Sequence, residues 1–420
     1  MRFSHRTEWN TEESELSLAH RRRLASGLPV FDLTASNPTR CGFTYAPHLL
    51  DSLADPCSLR YDPDPKGSRT AREAVSAYYA DHHVTLDPER LLLTTSTSEA
   101  YSFLFRLLCD PGSEILVPQP SYPLFDFLAT LDDVRLRYAP FIYDQGWQID
   151  PEALRRAITS STRAIVLVHP NNPTGHFTKP WEAEELGAIC RQHNLSLIVD
   201  EVFLDYALPE ISAFAERLSE PTETPAPPET LPILETSESP ASFARGLDGV
   251  SVFVVSGLSK VAALPQMKAA WIAVTGPAAD GAMSRLEVIA DTFLSMNAPI
   301  QHALPGWLKD RQSIGQQILN RVTGNLAELD DQLAQQLTCH GTLSRLKIEG
   351  GWYAILRIPA LLPDEQTARN LLDKGVWVHP GSFFGMQQAG WLVVSLLGPV
   401  AEFKQGTERL VNYLNTNQCG

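Results

Sequence analysis

The chain is 420 residues long with 44% hydrophobic and 20% charged residues, the make-up of a globular protein and not of a disordered one. That length exceeds what one hydrophobic core fills, so two lobes are expected. A net charge of −15 argues against a nucleic-acid or anionic-membrane partner, and no apolar run reaches the length of a signal or membrane-spanning segment.

From the amino end, the Arg21-Arg22-Arg23 cluster reads as the solvated end of an N-terminal helix. Six cysteines (Cys41, Cys57, Cys109, Cys190, Cys339, Cys419) are scattered, without Cys-x-x-Cys pairs or histidines at metal-ligand spacing. No metal site is expected, and a reducing cytoplasm suits them. Short β-rich apolar runs then alternate with helical patterns. Ile115 to Val117, Ala164 to Val168, Leu195 to Val199 and Val252 to Val255 predict a mostly parallel sheet with helices on both faces. Asp150-Pro151-Glu152 starts a helix, and another is expected from about Thr178 to His193. Ser219 to Pro240, rich in proline and carrying only acidic charges, predicts a mobile surface insertion. After Pro299 the texture changes to long helical stretches, notably Gln312 to Leu337. Short strands follow around Trp352 to Ile358, Val376 to His379 and Trp391 to Ser395, which predict a smaller α+β lobe.

The strongest local signal is Ser256-Gly257-Leu258-Ser259-Lys260, directly after the strand Val252 to Val255, with Lys268 eight residues further on. A lysine at the mouth of a buried strand end, among small residues, is an amine able to lose its proton and react with an aldehyde. Alone this is weak, since Ser-x-x-Lys also occurs in serine acyl-transfer enzymes and on surfaces. Four further elements appear in order around it. Leu93 to Ala100 (LTTSTSEA) opens a helix continuing through Tyr101, Leu104 and Leu108, and its amino end is either a phosphate cradle or an ordinary N-cap. Pro120-Ser121-Tyr122-Pro123 is turn-like. Val168-His169-Pro170-Asn171-Asn172-Pro173-Thr174-Gly175 follows a buried strand, and chance turns rarely have that length and composition. Ile198 to Phe203 puts Asp200 at the carboxyl end of an apolar strand, where ligands bind in open parallel sheets and where an acid needs a cationic partner.

These five ordered motifs resemble the class I/II aminotransferases of the fold-type-I pyridoxal-phosphate superfamily. The likeness runs from Phe31-Asp32-Leu33-Thr34 to the C-terminal lobe, with the 219–240 insertion the main stretch without a counterpart. It implies an α/β fold: an N-terminal arm over residues 1–47 that joins the small domain, a large cofactor domain over 48–298 with a mostly parallel sheet, and a small C-terminal α+β domain over 299–420. It implies pyridoxal 5′-phosphate as cofactor, held by Lys260 as a Schiff base, with the same lysine carrying a proton between substrate Cα and cofactor C4′. Asp200 would pair with the pyridinium nitrogen and Asn172 would hydrogen-bond O3′. Tyr122 would stack on the ring, while Ser96, Thr97 and Ser98 hold the phosphate with Ser259 and Lys268 on its other side. Tyr61 resembles the tyrosine such enzymes lend across a dimer interface, which implies a homodimer with shared sites. The small-molecule partners implied are an amino donor and an oxo-acid acceptor.

Four positions depart from the family pattern. Phe203 stands where a tyrosine hydroxyl usually bonds O3′. Gly257 replaces a phosphate-binding serine, and Lys268 replaces an arginine, keeping the charge without the bidentate fork. Val393, in Trp391-Leu392-Val393-Val394-Ser395, occupies the place of the arginine that clamps the substrate α-carboxylate, and no arginine lies between Asp373 and Phe403. Either another cation serves, Arg40 beyond Ser36-Asn37-Pro38-Thr39 being a candidate with Ser36 as a neighbouring substrate contact, or the amine carries no adjacent carboxylate. The expected reaction is amino-group transfer from an amino acid or amine to an oxo acid. A lyase, decarboxylase or oxidase on the same scaffold is the alternative. A non-catalytic cofactor-binding protein is disfavoured by retention of Lys260, Asp200 and Asn172.

Overall fold

The computed structural model describes residues 2–209, 241–335 and 343–416. The expected insertion at 219–240, together with Cys339 and Cys419, lies outside the described residues. In chain order the first strands are β1 (Phe31–Asp32), β2 (Leu91–Thr94), β3 (Glu114–Gln119), β4 (Arg135–Tyr143), β5 (Trp147–Ile149), β6 (Thr162–Val168), β7 (Ser196–Asp200), β8 (Val252–Gly257) and β9 (Ala270–Thr275). All but β1 form one eight-stranded sheet in the order β2-β9-β8-β7-β6-β3-β4-β5. The pairs β8-β7, β7-β6, β6-β3 and β3-β4 are parallel, and β9 and β5 turn antiparallel toward the two edges.

The unbroken apolar runs explain this placement, because a parallel strand covered on both faces has no solvent side to fill with polar residues. Alternate residues divide between two cores. Leu116, Ile165, Leu167, Leu197, Val199 and Val252 meet helices Arg69–Asp81 and Pro180–His193 on one face. Ile115, Val117, Val166, Ile198 and Phe253 meet helices Thr97–Leu108, Leu124–Leu131 and Ala279–Phe293 on the other. Each such fully buried Val, Leu, Ile or Phe contributes roughly 1.5–3 kcal/mol.

A second sheet follows in the chain. It comprises β10 (Ser344–Arg345), β11 (Tyr353–Arg357), β13 (His379–Pro380) and β14 (Trp391–Ser395), all antiparallel, in the order β10-β11-β14-β13. Between β11 and β13, β12 (Val376–Trp377) pairs in parallel with β1 instead. The single strand expected over Val376 to His379 is therefore two, since the chain changes sheets at Val378.

Two helix expectations are also corrected. Helix Pro180–His193 begins two residues later than Thr178: Pro180 takes the first helical position, and Glu182 accepts the Lys179 N–H. The stretch expected from Gln312 belongs to a 38-residue helix, Ala298–Gln335, that passes through Pro305. Its first half (Ala303, Leu304, Trp307, Leu308) packs under the first sheet, and its second half (Ile314, Ile318, Val322, Leu326) packs under the second. At the amino end, helix Glu15–Ala25 carries the arginine cluster with Arg21 and Arg22 exposed, but Arg23 donates to the carbonyls of Pro29 and Asp373. Among the described residues no helix is long and apolar enough to cross a membrane.

Candidate active site

The carboxyl ends of β7 and β8 bring Asp200 and Lys260 together. Strand β8 ends at Gly257 and the chain turns at once into the one-turn helix Leu258–Val261, whose third residue is Lys260. Two backbone contacts pin that turn: Tyr206 donates its hydroxyl to the Lys260 carbonyl at 2.6 Å, and Leu258 N–H donates to Ala269 O at 2.9 Å. The Lys260 ammonium lies over two rings, with Nζ 4.9 Å from the Trp352 centroid and 5.7 Å from that of Phe203. Phe203, Tyr206 and Trp352 meet edge to face, so the lysine stem sits in a fixed aromatic wall. Burial pushes the Lys260 amine down to about 8, a fall that the charge of Asp200 partly opposes.

Asp200 is buried, and burial raises its carboxyl to about 6. The Val202 N–H at 3.1 Å, the Tyr101 hydroxyl at 3.1 Å and the charge of Lys260 all pull the other way. No arginine meets this carboxylate among the described residues, which leaves it suited to a cationic ligand. The adjoining Glu201 is fully buried and rises to about 7 through burial, against hydrogen bonds from Ser242 Oγ and Phe243 N–H.

Asn172 lies in the turn after β6 and is 8% exposed, yet its Oδ1 has no hydrogen-bond partner among the described residues. Ser121 Oγ and Trp352 Nε1 are likewise buried without a partner. They are three of twelve such atoms among the described residues, each costly unless water or a ligand supplies its bond, and these three belong to two of the sequence motifs expected around Lys260 and to the indole over its amine. Behind Asn172 the turn is tied down by charge. His176 Nε2 meets Glu182 Oε2 at 2.9 Å, and Glu349 Oε2 accepts from Lys179 Nζ at 2.6 Å and from Phe177 N–H at 3.0 Å. Glu349 precedes Trp352 by three residues, so this cluster joins the Asn172 turn to the segment that carries the indole just before β11. Burial alone raises the Glu349 carboxyl, but its bonds to His176 and Lys179 outweigh that and bring it to about 2.

The segments expected to hold a phosphate are brought together by register. Ala270 at the start of β9 pairs with Thr94 on one side and Gly257 on the other, so the segments 95–98, 258–260 and 268–269 converge on one edge. Ser96 is the N-cap of helix Thr97–Leu108 and accepts the Glu99 N–H, so the N-cap reading is correct, and it coexists with a free hydroxyl hydrogen and a positive helix end. Thr97 and Ser98 occupy the first turn, Ser259 stands beside Lys260, and Lys268 is exposed with no ion pair among the described residues. Gly257 is crowded: a Cβ there would lie 2.8 Å from Ala270 Cβ, so the missing serine reflects a closely packed backbone.

At the outer end, Tyr122 is 44% exposed and close enough, with Ser36, to act on the buried Tyr353 hydroxyl. Val393 is wholly buried among aliphatic neighbours and offers no polar group. Arg40 ends the short helix Pro38–Arg40, exposed and without a partner among the described residues. Tyr61 is 81% exposed in a cleft with Leu59, Asp64, Glu99 and Met296; the chain does not fold it onto its own Lys260. Tyr101, Tyr206 and Trp352 were not singled out in the sequence. Tyr101 looked like one more apolar-face residue of its helix, and only the tertiary fold aims its hydroxyl at Asp200.

The family model "Aminotransferase class I and II" matches residues 50–410. An alanine aminotransferase of Mycobacterium tuberculosis is 27% identical over 407 residues, covering 94% of this chain and 88% of that protein. The glutamate-pyruvate aminotransferase AlaA of Escherichia coli is 27% identical over 338 residues, covering 80% and 76%. The solved alanine aminotransferase of Pyrococcus furiosus shares the fold, with a TM-score of 0.84 at 22% identity over 99% of this chain and 100% of that one.

Proposed function

Because the chain belongs to the class I and II aminotransferase family and is thus a pyridoxal-phosphate-dependent aminotransferase, we propose that Lys260 is its catalytic amine and Asp200, Asn172 and the Ser96 helix end its cofactor-holding groups. The observation that carries this is the placement of Lys260 and Asp200 at adjacent strand ends, close enough for each charge to act on the other, beside unpartnered Asn172 Oδ1. The residues fit the cofactor. A pyridinium nitrogen answers the buried carboxylate, and a ring oxygen answers the amide of Asn172. A phosphate answers the helix end of Ser96, Thr97 and Ser98, with Ser259 and Lys268 opposite.

When bound, pyridoxal phosphate supplies an electron-withdrawing ring that stabilises negative charge at the substrate Cα. The protein does the rest. Lys260 Nζ, with a pKa of about 8, is poised near working pH to take a proton from the substrate and return it, which is what general acid–base catalysis requires. Trp352 and Phe203 flank that amine and limit its positions. Tyr206 fixes its backbone, Tyr101 orients Asp200, and exposed Tyr122 covers the outer face.

The substrates are an amino acid or amine and an oxo acid. We further assign a homodimer in which Tyr61 serves the neighbouring subunit: its exposure beside the exposed Leu59 supports a covered face there. No nucleic-acid or membrane partner is assigned. A cytoplasmic setting agrees with the four described cysteines, none of which is in a disulfide. The test is Lys260→Ala, which replaces the absorbance band of the lysine-linked cofactor with that of the unlinked aldehyde and abolishes turnover. In the parent, an amino donor alone must give up to one equivalent of oxo product; release of ammonia or carbon dioxide instead would replace this reading with a lyase or decarboxylase.

A further inference from the structure

We propose that His379 recognises the substrate carboxylate, taking the place that Val393 leaves without a donor. This rests on the aminotransferase reading of the site and names the side chain that gives it preference for amino acids over simple amines.

Strand β14 sets the position. Val393 is paired with Ile355 of β11 on one side and with His379 of β13 on the other. Directly paired residues in an antiparallel sheet project to the same face, and alternate residues return to it. His379, Val393, Ile355, Tyr353 and Ser395 therefore share one face. Tyr353, on that face, is acted on by Ser36 and Tyr122, which places the face at the outer end of the site.

The ring of His379 is held in one orientation. It stacks on Phe383 with centroids 4.9 Å apart and planes 3° from parallel, and meets Phe384 edge-on at 5.7 Å. Phe384 in turn lies 6.3 Å from Tyr353, and its carbonyl accepts the Ser121 N–H beside Tyr122. An imidazole fixed in this way loses little rotamer freedom on binding. Its nitrogens have no hydrogen-bond partner among the described residues, and Asp32 of β1 is the one charged group acting on it there.

Burial pushes the His379 imidazole down to about 4, so it is neutral and presents one N–H and one lone pair. An incoming carboxylate accepts the imidazole N–H, and the pair becomes charge-assisted if the imidazole takes up a proton, which the negative charge of Asp32 also favours. Arg40, the other candidate, is exposed and lies outside this set of paired residues.

The experiment compares 2-methylalanine with tert-butylamine, which differ only in a carboxylate against a methyl group and neither of which has an α-hydrogen to lose. Their affinities for the cofactor-loaded protein are read from the change in visible absorbance. The parent should prefer 2-methylalanine by roughly tenfold or more, the scale of one hydrogen bond to a charged group. His379→Phe keeps the ring stack and should erase the preference while leaving tert-butylamine unchanged. His379→Gln, which retains an N–H donor, should restore part of it, and Arg40→Ala should leave it intact. A parent without the preference overturns the assignment and spares the aminotransferase reading, as does a preference that survives His379→Phe or vanishes in Arg40→Ala. A chain that takes up no pyridoxal phosphate overturns both.

Discussion

Asp200→Asn isolates the cost of keeping a carboxylate where Asp200 stands. In the cofactor-free protein, burial raises its pKa from 3.8 to about 6 despite the opposing bonds from Val202 and Tyr101 and the charge of Lys260. The folded pKa exceeds the unfolded one, so the folded state holds the proton more tightly. The contribution to stability is complete below pH 3.8 and is lost as pH rises through 6. A shift of about two units makes the ionised side chain cost about 3 kcal/mol at pH 8 and under about 1 kcal/mol at pH 4. Asparagine keeps the shape, an acceptor for Val202 N–H and a polar partner for Tyr101, and carries no charge. Cofactor-free Asp200→Asn should therefore be more stable than the parent by up to about 3 kcal/mol at pH 8, with the gain shrinking toward pH 4. Urea denaturation of the two proteins at both pH values measures this. Saturating pyridoxal phosphate should narrow or reverse the ranking at pH 8, because only the aspartate gains a cationic partner. A variant no more stable than the parent at pH 8, or one whose gain does not vary with pH, refutes the idea that Asp200 is ionised at a cost which a bound cation offsets.

Phe203→Tyr should lower the pH midpoint of the holoenzyme's visible band by about one to two units, since a new hydrogen bond to a charged oxygen is worth about 1.5–3 kcal/mol; an unchanged midpoint in a spectrophotometric titration rules this out. Glu349→Gln should cost stability at neutral pH, by up to about 3 kcal/mol. Its folded pKa of about 2 lies below the ordinary 4.5, so the contribution is present above 4.5 and disappears as pH falls through 2. Equal losses at pH 7 and pH 2.5 in denaturation curves would count against the His176–Glu349–Lys179 cluster as the source.

Parallel strands announced themselves because each is an unbroken apolar run, and the motifs at their ends travelled with them, while the adjacency of β7 and β8 that makes Asp200 and Lys260 neighbours was implied only by the family resemblance. What stayed hidden depends on contacts between distant segments. Strands β1, β12 and β13 have two residues each, too few for any period, and exist only because partners lie opposite them. The indole of Trp352 read as the edge of an apolar run, and its place over Lys260 follows from how the second sheet docks. The empty place at Val393 was legible as a missing arginine, but His379 beside it was not, because that neighbour is set by cross-strand register.

Helix Ala298–Gln335, about 57 Å long at 1.5 Å per residue, belongs equally to both sheets. Melting either core would strip half of its apolar stripe and leave a marginal, half-solvated helix to propagate the loss into the other. The two cores are thus yoked into one cooperative unit, and a chain severed at residue 298 would deprive the first of Ala303, Leu304, Trp307 and Leu308 while asking the second to nucleate alone.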